Sequence, residues 1–163
     1  MKHLGICIAS GVLYYGFVAD PPGGGPALPT HGAAERLMQQ SGHSAADAAR
    51  ILDTHSRIKQ DLREFCPGSV VLVATRQHAA WTYRKAFERA SLTALTMLSC
   101  AELSVPCEEW KTERIGKLVG LEPQALAQFD HRVLGFETRP KYWTAGRAVA
   151  FAAARASSLE SGA

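Results

Sequence analysis

The sequence holds no uninterrupted apolar stretch of the roughly 18 residues that a membrane-spanning helix requires, so no membrane partner is expected. Its most apolar segment, residues 4–19, is broken by Gly5, Ser10 and Gly11 and carries Tyr14 and Tyr15, which sets it apart from a secretory leader despite the Lys2-His3 start. Cysteine is scarce and scattered: Cys7, Cys66, Cys100 and Cys107 form no CxxC pair and have no histidine at metal-ligand spacing. Reduced thiols in a cytoplasmic protein with neither metal nor organic cofactor are the expectation. Net charge is small as well, with 18 Lys+Arg against 15 Asp+Glu in 163 residues, an excess of +3 that does not by itself imply a nucleic-acid partner. There is no internal repeat, and Gly23-Gly24-Gly25 lacks the Lys-Ser/Thr that would follow it in a phosphate-binding loop.

What the chain does have is a core-forming composition, 47% hydrophobic and 20% charged, in a length that fits one domain over residues 1–158 with a flexible tail at 159–163. Residues 2–10 and 12–19 are rich in Ile, Val, Leu, Tyr and Phe and read as a hairpin turning at Ser10-Gly11. The prolines and glycines of residues 20–32 make a loop insertion, and residues 33–40 read as a short third strand. Ser44 and Asp47 then open a helix whose Ala48, Ile51, Leu52, Ile58, Leu62 and Phe65 repeat at helical spacing, with His55 at the edge of that stripe. Cys66-Pro67-Gly68 ends it.

The SVVLVAT run at 69–75 is apolar throughout, the mark of a strand covered on both faces. Residues 78–102 return to helical spacing, with Tyr83, Phe87, Ala90, Ala94, Met97, Leu98 and Ala101 on one side and Arg84, Lys85 and Arg89 mainly on the other. Residues 103–110 read as a strand that Pro106 confines to an edge. A short helix from Thr112 to Gly120, another from Pro123 to about Val133, a linker at 134–140 and an alanine-rich helix at 141–158 complete the chain. Ala145, Ala148, Val149, Ala152 and Ala156 give that last helix a small face for close approach to a sheet.

This order predicts an α/β fold with a mixed sheet, an antiparallel three-strand meander continued by parallel strands and flanked by helices. In the segments LGICIASGVLYYGFV at 4–18, ERLMQQ at 35–40, PGSVVLVATRQ at 67–77 and RAVAFAAARA at 147–156, the sequence resembles the ribonuclease H-like superfamily and, within it, resolvases of the RuvC type. The resemblance covers nearly the whole chain and rests on element order and hydrophobic pattern. It implies a nuclease in which carboxylates hold two divalent metal ions, because such hard cations need anionic oxygen ligands. It also implies a homodimer.

The positions that the resemblance assigns to those carboxylates are Cys7, a group at 74–76 that includes Thr75 and Arg76, and a group from Thr144 to Arg147. None is acidic, and no Asp or Glu occurs in residues 4–19, 67–87 or 138–158. The sequence therefore implies a domain that has lost the metal chemistry of the family. The same absence counts against the sugar-kinase and ATPase branch of the superfamily.

Other constellations are weaker. A Cys7–His78 nucleophile is disfavoured because a cysteine inside an apolar strand is inert. Glu108 and Glu109, adjacent in a strand, point to opposite faces. Asp20, Glu35 and Asp130 remain as carboxylates for a nuclease with a non-standard site or one completed by a partner.

The basic excess lies entirely in residues 111–147, where Lys111, Arg114, Lys117, Arg132, Arg139, Lys141 and Arg147 face four acids, with Trp110, Tyr142 and Trp143 among them. Such a mixture suits phosphate contacts plus base stacking, with Arg76, Lys111, Arg114, Lys117, Arg139, Lys141 and Arg147 as the candidate contacts; the competing reading is a solvated helix face with the aromatics buried at element ends. The functional expectation is a catalytically inactive, nucleic-acid-binding or assembly subunit of a larger complex. The alternative is a protein-interaction subunit that docks through the 78–102 helix or the alanine-rich helix.

Overall fold

A computed structural model describes residues 1–23, 25, 28–29, 37–39, 48–75 and 80–162 of the chain. Strands β1 (Lys2–Ala9) and β2 (Val12–Ala19) form the antiparallel hairpin, with Ala9 paired to Val12. Ser10 and Gly11 both take positive φ, 49° and 71°, as a two-residue hairpin turn requires. Two short pieces flank β2: β3 (Leu28–Pro29) pairs with Val18 and Ala19, and β4 (Leu37–Gln39) pairs with residues 12–14. The meander's third strand is thus split, and part of it falls in the segment read as a loop. Proline is tolerated in β3 because an edge position asks for no N–H.

After α1 (Ala48–Phe65), β5 (Ser69–Val73) runs parallel to β1. Following α2 (Tyr83–Glu102), β6 (Cys107–Trp110) runs parallel to β5 at the edge, giving a main order β2-β1-β5-β6. The mixed α/β sheet expected from the sequence is therefore present. Alternation divides its side chains between two cores. Leu4, Ile6, Ile8, Val70 and Leu72 pack with Ile58, Leu62 and Leu92 of α1 and α2. Cys7, Val71 and Val73 pack on the opposite face with α4 (Ala148–Ser161) and with Ile115 of α3 (Thr112–Val119). No helix among the described residues is long and apolar enough to cross a membrane.

Several expectations are corrected. The buried side of α2 is Leu92, Thr96, Ser99 and Cys100, while Tyr83, Phe87, Met97 and Leu98 face solvent. The hydroxyls of Thr96 and Ser99 donate to the carbonyls of Leu92 and Leu95, both at 2.8 Å, so burying them leaves no hydrogen bond unmade. The helix expected at 123–133 is two 3₁₀ turns, Pro123–Gln128 and His131–Leu134, interrupted at Phe129 and Asp130. The last helix starts at Ala148, after a π-turn at Trp143–Arg147, and runs to Ser161, beyond the end at 158 expected for it. The start of the first helix at Ser44 and Asp47 lies outside the described residues.

The seating of α4 depends on two glycines that the β1–β2 register places side by side, Gly5 opposite Gly16. A Cβ on Gly5 would stand 1.9 Å from the carbonyl oxygen of Ala150, and one on Gly16 would stand 2.2 Å from the amide nitrogen of Phe151. Helix backbone therefore rests directly on strand backbone, and the residues that make this approach are Ala150, Phe151 and Ala154. Ala145, expected on that face, is exposed.

A polar network fixes the far end of the same helix. His3 is fully buried, with Nδ1 at 3.0 Å from both Ser69 Oγ and Ser157 Oγ and Nε2 at 3.0 Å from an Asp20 oxygen. Ser158 Oγ donates to Asp20 at 2.7 Å. Burial alone would raise the Asp20 carboxyl, but hydrogen bonds from His3, Ser158 and the N-terminal amine bring it down to about 2.

Gly5→Ala is expected to lower unfolding stability by about 3 kcal/mol, the upper range for overpacking a core, because the new methyl meets immobile backbone. Gly68→Ala, whose methyl would meet the flexible Met1 side chain at 3.0 Å, is expected to cost far less. Urea denaturation of the two variants beside the parent checks this; equal losses would show that the notch does not limit the fold.

Candidate nucleic-acid interface

Parallel strands in an open α/β sheet present their C-terminal ends as a natural ligand edge. Here that edge holds Cys7 near the end of β1, Ala74 and Thr75 just beyond β5, and Lys111 just beyond β6; the Ala74 amide donates to the Trp110 carbonyl at 2.8 Å and fixes the last two ends together. Cys7 pairs in register with Tyr14. The ring of Tyr14 lies against Gly146, where a Cβ would be 2.5 Å from the ring. That close approach brings the Trp143–Arg147 turn, and with it Thr144 and Arg147, to the Cys7 side of the sheet. Thr75 joins from β5 by accepting a hydrogen bond from Arg89 Nε. Four of the five positions singled out from the sequence, Cys7, Thr75, Thr144 and Arg147, are thus carried to one end of the sheet; the fifth, Arg76, lies outside the described residues, as does His78.

The chemistry of this edge is neutral or cationic. Burial pushes the Cys7 thiol up to about 11 against the pull of the Arg89 charge, so it carries its proton at neutral pH. Burial likewise raises the Tyr14 phenol, with the proximity of Cys7 and Tyr142 acting in the same direction. Arg147 is 4% exposed and donates to the Lys141 carbonyl at 3.5 Å. A protonated thiol, two threonine hydroxyls and guanidinium groups are a poor donor set for a hard divalent cation, so these residues do not fit the metal ions that the resemblance implies. Among the described residues no group of three or more His, Cys, Asp or Glu is placed to hold a metal.

The carboxylates held in reserve do not converge either. Asp20 sits in the His3 network at the opposite end of the sheet. Asp130 is clasped by the guanidinium of Arg132, and Glu35 lies outside the described residues. Glu108 accepts from Trp110 Nε1 at 2.7 Å, whereas Glu109 interacts with the Arg89 charge. His55, the histidine at the edge of α1's stripe, lies 3.2 Å from Glu102 and is no ligand set of its own.

Arg89 is the residue that the sequence reading missed. Half-buried on α2, it places its guanidinium 5.3 Å from the centre of the Trp81 ring and bonds Thr75 across the rim. Burial pulls its pKa down, while Cys7 and Glu109 act to raise it, and a guanidinium stays charged throughout. With Trp81, Lys85 and the Ser10-Gly11 turn it lines a groove of about 340 Å³. The available signal was spacing: Trp81, Lys85 and Arg89 follow one another every fourth residue, which puts the two cations on one helix face leading back to the aromatic.

The basic segment 111–147 is reduced by its pairings. Arg114 bonds both oxygens of Glu160, at 2.8 and 2.9 Å, contacts Glu108, and stacks 3.7 Å above the Trp110 ring. Arg132 pairs with Asp130 while staying exposed, and Arg147 is buried. Trp110 and Trp143 are core residues, with Trp143 Nε1 donating to the Phe129 carbonyl at 2.7 Å, and they cannot stack on bases. Lys111, Lys117, Arg139, Lys141 and Tyr142 remain on the surface, and Arg139 and Thr144 line a second depression of about 540 Å³.

Comparison with solved structures identifies the architecture. The chain superposes on Thermus thermophilus RuvC with a TM-score of 0.73 and 20% identity, covering 99% of this chain and 96% of that one. The T. thermophilus RuvC structure in complex with a Holliday junction substrate matches equally, at a TM-score of 0.73. The yeast mitochondrial Holliday junction resolvase matches at 0.57 with 11% identity over 98% of this chain and 80% of that one. The fold is therefore the ribonuclease H-like fold of RuvC. No protein-family model matches the chain, and no curated protein does.

At pH 8, iodoacetamide is expected to modify exposed Cys66 and spare Cys7, whose thiolate becomes abundant only near pH 11. Peptide mass spectrometry reads this directly; rapid native labelling of Cys7 would show an open, activated thiol at this edge.

Proposed function

We propose that the chain is a nucleic-acid-binding RuvC-like domain that does not cut its ligand, working as a subunit of a larger assembly. One observation carries the reading: at the C-terminal ends of β1 and β5, where the resemblance calls for metal-binding carboxylates, stand a buried thiol, a hydroxyl and the Arg89 guanidinium. An edge of that composition repels divalent cations and attracts phosphates. The likeness over almost the full chain to a resolvase solved with a Holliday junction supports nucleic acid as the ligand. Of the cations named from the sequence, Lys111, Arg139 and Lys141 are the exposed ones nearest this edge in the chain's path, following β6 and leading into the Trp143–Arg147 turn.

A second reading has its own observation. Tyr83, 84% exposed and stacked on Phe87 at 6.1 Å, continues along α2 into exposed Met97 and Leu98, an apolar face at helical spacing. Such a face suits a partner helix, and a second copy of this chain supplies the same face.

Titration with labelled single-stranded, duplex and four-way-junction DNA is expected to give salt-sensitive retardation that magnesium and chelator leave unchanged, with no cleavage. Changing Lys111, Arg139 and Lys141 together to Ala should flatten the salt dependence by about one unit for each phosphate no longer neutralised. Cleavage that a chelator stops would overturn the inactive reading and return the nuclease. For the α2 face, Phe87→Glu with Met97→Glu is expected to convert a dimer to monomers by analytical ultracentrifugation. A parent protein already monomeric at about 100 μM would remove self-association.

A further inference from the structure

We infer that Arg89 is a built-in phosphate receptor, a fixed guanidinium that grips a backbone phosphodiester at the edge where the resemblance places metal ions. The inference rests on the nucleic-acid reading above and names the contact that serves it.

Four observations lead there. The Arg89 guanidinium is held on two sides, by the Nε hydrogen bond to Thr75 and by the Trp81 ring, so much of its side-chain freedom is already gone before a ligand arrives. With Nε engaged, the four N–H donors on the two Nη atoms are the ones suited to a two-point contact with phosphate oxygens. Partial burial strengthens such a contact, because the charge is less screened than on an open surface. Finally, Arg89 opens onto a groove large enough for a nucleotide's phosphate and sugar, with Lys85 as a second cation and Trp81 as a flat wall.

The local anions do not cancel this. Glu88 also lines the groove, with Oε2 3.9 Å from where a Cβ on Gly11 would stand and Oε1 3.6 Å from Arg84 Nε, so Arg84 offsets its charge. Glu109 acts on Arg89 from β6 and sets a competitor that a phosphodiester must outweigh, which favours a ligand bearing several phosphates in a row. The ligand class is therefore a polyanionic strand presenting tetrahedral phosphodiesters, and free phosphate is the weaker form of the same chemistry.

The test uses the whole chain with Arg89→Gln, Arg89→Lys, and Arg57→Gln as a control that removes one charge from the exposed face of α1, where Arg57 pairs with Asp53. Binding of labelled four-way-junction DNA is measured between 50 and 200 mM salt, and circular dichroism melts verify folding. Arg89→Gln is expected to bind about tenfold more weakly with a salt slope about one unit shallower, while Arg57→Gln matches the parent. Arg89→Lys should recover the slope, which counts charge, and only part of the affinity, which needs the fork. Its folding also carries the test if the glutamine variant melts.

A second arm follows the ¹⁵N–¹H resonance of Arg89 Nε, assigned by its disappearance in Arg89→Gln, during titration with inorganic phosphate. If the parent binds DNA and Arg89→Gln binds with the same slope, the receptor is overturned and the nucleic-acid reading stands. If the parent fails to bind DNA while the Nε resonance shifts saturably with phosphate, the receptor stands and the ligand is a free phosphate compound. No DNA binding and no shift overturns both.

Discussion

The contact between the α4 backbone and the Gly5–Gly16 pair sets the positions of everything that follows from it. Because no side chain intervenes, the helix axis has almost no latitude above the sheet, and small shifts meet hard repulsion. The same helix is tied at its far end by Ser157 and Ser158 to the His3–Asp20 pair. Fixed at both ends, α4 delivers the preceding π-turn against Tyr14, and Tyr14 lies opposite Cys7. The geometry of the Cys7 edge is thus a by-product of glycine and alanine packing on the same face of the strands.

At that edge the balance of charge decides what chemistry is open. Carboxylates would gather divalent cations and, through them, activate water. A protonated thiol and a guanidinium offer a hard divalent cation no anionic oxygen. Arg89 donates to the Thr75 hydroxyl and lies over the Trp81 ring, which joins the end of β5 to α2 beside the groove.

How much of this was legible in the sequence varied with the range of the interaction that decided it. Strands β1, β2 and β5 were readable because their apolar runs answer to nearest-neighbour alternation, and the absence of acids from three windows was a matter of reading residues. The face of α2 was misassigned because hydrophobicity favoured Tyr83, Phe87 and Met97, whereas Thr96 and Ser99 met their hydrogen-bonding needs within the helix and took the interior. Arg114 reads as a phosphate contact because its partner Glu160 lies 46 residues away, and in the sequence Trp110 and Trp143 fit base stacking and burial alike, of which the fold selects burial. Arg89 was passed over as one more outward charge on a helix, since its bond to Thr75 spans a strand-to-helix crossover that periodicity cannot see.

The notch formed by Gly5 and Gly16 also has a meaning in time. The strands that carry it belong to the first hairpin, while Ala150, Phe151 and Ala154, which fill it, come after every strand in the chain. During synthesis the hairpin emerges with one face bare and waits for nearly the whole remaining sequence before its cover arrives. A topology closed by so distant a contact pays its loop entropy early and is rewarded late, which slows folding and lengthens the exposure of apolar surface.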